Sequence, residues 1–161
     1  MVKVLGITED YKLWYLFMRT RDAMYRTRQK ELQAIHISSR EAAVLLIVVI
    51  LGKKATIGRI ARLAYREPNS LSAHTSRMEK DGLVKKVKLR DGRSIRVLLT
   101  DKGRRAFEYA MKHESTNEIM SVLHEDEKQQ LNLILHKLRN RAFESLGTES
   151  ELLWAYLPQM Q

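Results

Sequence analysis

The stretch KLRDGRSIRVLLTDKG, residues 88–103, decides how the rest of the chain is read. Its apolar and cationic residues alternate as a strand does, Asp91-Gly92 is a favoured pair for a tight hairpin turn, and Thr100 opens a helix. Leu83–Leu89 and Ser94–Leu99 are therefore expected to pair as a short basic hairpin with Arg93 at its tip. Such a hairpin cannot bury its own apolar face, so its support must come from neighbouring segments.

Upstream, Thr56 opens a short helix with Ile57, Ile60, Ala61 and Ala64 on one side, and the break YREPN (65–69) ends it. A further helix follows, with Pro68 in its first turn, Gly82 as its stop, and Leu71, His74 or Thr75, and Met78 facing inward. The run Ala42–Leu51 is ten apolar residues, half of what a membrane span needs. Periodicity leaves it open as buried strand or buried helix. The capping pair Ser38 and Glu41 before it and Gly52 after it favour the helix.

The ends of the chain read differently. Residues from Thr8 to about Gln33 carry Leu13, Trp14, Phe17, Met18 and Tyr25 at helical spacing, with Glu9 and Asp10 in the first turn. That helix would be roughly 39 Å long, too long for a small domain to cover. Thr100 is expected to cap a helix reaching about Leu123. Glu125, Asp126 and Glu127 open the last long helix, with Leu131, Ile134, Leu135, Leu138, Ala142 and Leu146 as its apolar face. A polar joint and the apolar tail ELLWAYLP close the chain.

Charge is concentrated at the hairpin. Of a net charge of +10, residues 53–105 supply 16 Lys and Arg against 5 Asp and Glu, whereas residues 106–161 have 5 against 9. A focused basic module points to a polyanion, and charge alone does not choose between nucleic acid and an anionic membrane surface. The absence of cysteine removes disulfides, thiolate zinc sites and thiol catalysis. His36, His74, His113, His124 and His136 form no i, i+3 or i, i+4 pair, so no metal site is expected. There is no glycine-rich phosphate loop and no nucleophile with a paired histidine, which argues against an enzyme and against a bound cofactor. The start MVKVLGITEDYK lacks the pattern of a signal peptide, so a cytoplasmic protein with no membrane partner is expected.

Two short helices joined by a tight break and followed by a hairpin describe a winged helix-turn-helix. The DNA major groove, about 12 Å wide, admits one helix, and a hairpin tip can place a cation in the adjacent minor groove. The chain resembles the MarR family of transcriptional regulators. The resemblance runs from Ile60-Ala61 through LSAHTSRMEKDGLV (71–84), the wing pattern Asp91-x-Arg93-Ser94, and LLTDKG (98–103).

The resemblance implies a mainly α fold with a small β-hairpin wing, in which residues 36–103 form a winged-helix DNA-binding domain. Residues 1–35 and 104–161 would be dimerisation helices that interlock with a second copy. It further implies a homodimeric, sequence-specific regulator of double-stranded DNA, acting as a repressor on a pseudo-palindromic operator. The aromatic stripe of the first helix then reads as dimer core rather than as a cofactor box. By the same likeness Arg93 would enter the minor groove, with Asp91 as wing support. Asn69, Ser70, Ser72, Ser76 and Arg77 would face DNA from the recognition helix. Lys53, Lys54 and Thr56 would hold phosphate, and Arg90 would meet phosphate or supply field. A cleft for a small-molecule effector would involve Tyr11, Trp14, Tyr15, Met18 and His36. The competing readings are an architectural protein that coats DNA without sequence preference and a winged-helix module that binds an acidic protein.

Overall fold

The structure, a computed structural model, describes residues 6–147. Seven helices and one hairpin follow in the order α1 (Glu9–Gln33), α2 (Ser39–Leu51), α3 (Ile57–Leu63), α4 (Pro68–Lys80), β1 (Val84–Lys88), β2 (Ile95–Leu99), α5 (Asp101–Ala110), α6 (Glu114–Met120) and α7 (Glu125–Leu146). The tail ELLWAYLP lies outside the described residues.

The ambiguous apolar run is helical. Ser38 Oγ accepts from the Glu41 N–H at 3.1 Å while Glu41 Oε2 accepts from the Ser38 N–H at 2.6 Å, so both free donors are met as α2 begins. Ala42, Val44, Leu45, Ile47, Val48 and Leu51 are buried, which makes α2 the centre of the core. Ile60 and Ala61 of α3, Leu71, Thr75 and Met78 of α4, and Val84 and Val97 of the hairpin close around it. Each large side chain buried this way contributes roughly 1.5–3 kcal/mol. Of the two inward candidates on α4, Thr75 is the buried one. Its hydroxyl donates to the Leu71 carbonyl at 3.0 Å, so the buried Thr75 hydroxyl is satisfied.

The hairpin is antiparallel, with Val84 opposite Leu99 and Lys88 opposite Ile95. Its far edge is pinned to the segment before α3: the Val97 N–H donates to the Ala55 carbonyl at 2.8 Å, and Thr56 bridges Arg96. Its base is fixed by Thr100 and Gly103. The Thr100 hydroxyl donates to the Gly82 carbonyl at 2.6 Å and accepts from the Gly103 N–H at 3.0 Å. A Cβ on Gly103 would stand 1.9 Å from the Leu83 carbonyl oxygen, so only glycine lets α5 seat against the hairpin. That contact gives the spacing of Thr100 and Gly103 in LLTDKG its physical meaning.

The helix expected from Thr100 to about Leu123 is two helices. α5 ends at Ala110, His113 takes a left-handed backbone (φ 55°), and α6 starts at Glu114. The reason is a change of partner: α5 buries Gly103, Ala106 and Ala110 against the α2 side of the core, whereas α6 lies on α1. One straight helix could not do both.

The long arms remain open. Leu32 is the one buried residue of α1, and α7 has none. Leu13, Trp14, Leu16 and Phe17, and on α7 Ile134, Leu138 and Leu146, are exposed. Among the described residues, no helix is long and apolar enough to cross a membrane.

Candidate nucleic-acid interface

The wing tip is a loop ordered by one carboxylate. Asp91 Oδ1 accepts from the Ser94 N–H at 2.9 Å and the Arg93 N–H at 3.0 Å. The Ser94 hydroxyl and then these two N–H groups hold the Asp91 carboxyl below its ordinary range. Asp91 thus meets the backbone of Arg93 and leaves the guanidinium on the exposed side of the loop. Arg90 is also exposed, beside the turn made where the Gly92 N–H donates to the Leu89 carbonyl.

Arg93 does not stand alone. With Ser94 and Ile95 it forms one wall of a cleft of about 380 Å³, whose other walls are Thr56, Ile57 and Gly58 at the start of α3 and Pro68, Asn69 and Ser72 at the start of α4. Four residues singled out from sequence, Thr56, Asn69, Ser72 and Arg93, are thereby brought together from three segments. Lys53 and Lys54 are exposed on the 3-10 turn Gly52–Lys54 that leads into this edge.

The remaining α4 candidates divide. Arg77 is exposed on the outer face and Ser70 in the first turn. Ser72 and Ser76, expected to point away from the core, are half-buried, because the hairpin folds back over that flank. Ser76 Oγ donates to the Ser72 carbonyl at 2.9 Å and accepts from Lys86 Nζ at 2.8 Å. Lys86 is a member that sequence reasoning passed over, since a strand lysine carries no signal that it will return to α4.

Ser70 and Arg77 line a second cleft, of about 410 Å³, with His74, Asp81, Tyr25 of α1, Ser38, Arg40 and Glu41 at the start of α2, and Arg66. His74 Nε2 is enclosed there without a hydrogen-bond partner. Burial is the largest cause pushing the His74 imidazole below its ordinary value. Arg77, Arg66 and Arg40 push the same way, and Glu41 opposes them. Arg40 and Arg66 were not singled out, because only the folded chain sets them beside α4. Of the effector-cleft candidates, Tyr11, Trp14, Tyr15 and Met18 share one face of α1 at i, i+3, i+4 and i+7, and His36 lies apart. Tyr11, Trp14 and Tyr15 are more than half exposed, Met18 is half-buried, and His36 is exposed beyond the far end of α1, roughly 35 Å from Tyr11 along the helix. Within one chain they do not share a cleft.

No sequence-family profile matches the chain, and no curated protein matches it. Solved structures do. The organohalide-sensing transcriptional regulator RdhR-CbdbA1625 without ligand is 30% identical, covers 87% of this chain and 88% of its own, and superposes with a TM-score of 0.76. The same regulator bound to 2,4-dichlorophenol is 27% identical over 100% of this chain and 98% of its own, with a TM-score of 0.82. A MarR-family regulator from Silicibacter pomeroyi is 26% identical over 85% of this chain and 94% of its own, with a TM-score of 0.61. A mutant MarR from E. coli complexed with operator DNA shares the fold at 20% identity, over 81% of this chain and 95% of its own, with a TM-score of 0.72.

A basic wing pinned beside a helix-turn-helix, carried between long open helices, defines a winged helix-turn-helix transcriptional regulator. The chain belongs to the MarR family.

Proposed function

We propose that the protein is a homodimeric, sequence-specific repressor that reads a pseudo-palindromic operator. The single observation that carries this reading is the cleft that sets Arg93 of the wing against Asn69 and Ser72 of α4 and Thr56 of α3. In that arrangement α4 enters the major groove with Asn69, Ser70, Ser72 and Arg77 toward base edges and phosphates, and Arg93 enters the neighbouring minor groove. Ser76 positions Lys86, Lys53 and Lys54 meet the backbone, and Arg90 strengthens the field.

The open apolar faces of α1 and α7 support a second copy as their cover. A two-fold pair of reading helices matches an inverted repeat with half-sites about one helical turn apart. Residues 36–103 then act as the DNA-binding unit and the flanking helices as the dimer unit. For an effector, likeness to a regulator crystallised with 2,4-dichlorophenol favours a small aromatic acid or phenol. The cleft lined by Arg40, Arg66, His74 and Arg77, with Glu41 and Asp81 beside them and Tyr25 as an aromatic wall, abuts the reading helix and is the place for such a ligand.

Selection of sites from a random duplex library, at roughly physiological salt, tests the reading. Enrichment of one inverted repeat is expected. Strong retention with no enriched sequence would contradict specificity, and no retention at any salt would contradict DNA binding.

A further inference from the structure

Arg28 and Glu31 stand one turn apart near the end of α1, with side chains only 16% and 10% exposed. Arg28 Nη1 donates to Glu31 Oε1 at 2.7 Å, and Arg28 Nη2 donates to the carbonyl of Ala110, the last residue of α5. The other carboxylate oxygen, Glu31 Oε2, accepts from the Ser115 N–H at 3.2 Å and from the Ser115 hydroxyl. Ser115 is the second residue of α6 and is itself buried. The pair therefore grips both sides of the α5–α6 break, where His113 holds its left-handed turn.

The three helices belong to different parts of the machine. α5 starts on the hairpin through Gly103 and packs on α2, so it joins the reading unit to the flanking helices, while α1 carries the open apolar stripe. α1 is already fixed to the reading unit at its corner with α2, where the Ser39 N–H donates to Gln29 Oε1 at 2.9 Å. Leu32 of α1 is fully buried in the core and Tyr25 borders α4, so the Arg28–Glu31–Ser115 network adds a directional polar tie to an arm already packed at its C-terminal end. Burial alone would raise the Glu31 carboxyl. The Ser115 hydroxyl, Arg28 and the Ser115 N–H outweigh it and keep the carboxyl ionised. A buried ion pair of this kind adds little net stability, because desolvation offsets the attraction, and its best-attested use is to select one geometry over others.

We propose that Arg28, Glu31 and Ser115 form a clasp that fixes the angle between the α1 arm and the reading unit, and so sets the separation of the two reading helices across the dimer. They are positioning residues for half-site spacing, and none of them faces DNA. The proposal rests on the dimeric reading above.

The test is library selection with the full chain and its variants Glu31→Ala, Glu31→Gln and Ser115→Ala, each shown to be folded by circular dichroism. The unmodified chain is expected to enrich an inverted repeat at one half-site separation. Glu31→Ala should keep the half-site sequence, spread over two or more separations, and bind the original spacing about tenfold more weakly. Glu31→Gln, which keeps an acceptor for Ser115 but loses the charge facing Arg28, should fall between. Ser115→Ala guards against failure of Glu31→Ala to fold, and should broaden the spacing with the Ser115 N–H bond still present. A single unaltered separation and undiminished affinity in both alanine variants would overturn the clasp while leaving the dimer standing. An unmodified chain that enriches only an isolated half-site would overturn the dimeric reading and the clasp with it.

Discussion

Between α2 and β2 the chain covers its apolar residues with its own elements: Leu45, Ile60, Leu71, Met78 and Val97 are each fully buried. Along α1 the reverse holds, for Leu13, Trp14 and Leu16 keep 66, 60 and 61% of their surface exposed. Both α4 and α1 carry apolar residues at helical spacing, and their fates are opposite. Spacing therefore reports that a face needs cover, and only the fold reports whether the cover lies in the same chain. A contiguous apolar face left open on a long helix marks a site of association.

The largest effects should fall in the closed region and be independent of protein concentration. Gly103→Ala forces a Cβ into the Leu83 carbonyl and should cost on the order of 3 kcal/mol or more, lowering the melting temperature by roughly 10 °C. Leu71→Ala should cost about 2–5 kcal/mol by leaving a cavity under the reading helix. Melting curves at several concentrations check both, and an unchanged midpoint in either variant breaks the picture of a self-contained core.

In the open region a charge should act on assembly first. Leu16→Glu or Phe17→Glu is tolerated by a single chain whose residues already face water, but should convert a dimer to a monomer in light scattering. Native mass retained by both variants would remove α1 from the interface.

How much of this division was legible in the sequence follows from the range of the interactions. The capping pair at Ser38 and Glu41 showed α2 to be a helix although its residues favour strand, and Thr100 and Gly103 marked the hairpin base, because both devices are built within a few residues. The break between α5 and α6 was not legible. It goes with the change of packing partner from α2 to α1, whose Arg28 and Glu31 meet its two sides from more than eighty residues upstream, and no local breaker announces it. The reading face was legible in part. Asn69 and Arg93 line one cleft, while Ser76 is half-buried under Lys86 and Ser72 is half-buried beside the wing, contacts between segments that no local pattern announces.

Smaller effects sharpen the comparison within the reading unit. Arg93→Ala removes an exposed side chain and should weaken DNA binding by about tenfold, with the melting temperature unchanged. Equal affinity would detach the wing from recognition. The smallest effect is expected from His74. Its folded form favours the neutral ring, so its contribution to stability is complete above the ordinary value of 6.5 and is lost as pH falls below it. His74→Gln should flatten the loss of stability between about pH 7.5 and 5.5, measured by urea midpoints. A parallel loss in both proteins would contradict that role.

The most direct test of a two-fold reader built on open arms is a hydroxyl-radical footprint of the protein on a selected duplex. Two symmetric protected patches about one helical turn apart, each with a minor-groove contact at its flank, are the expected result. One patch, or uniform protection along the duplex, would contradict the account.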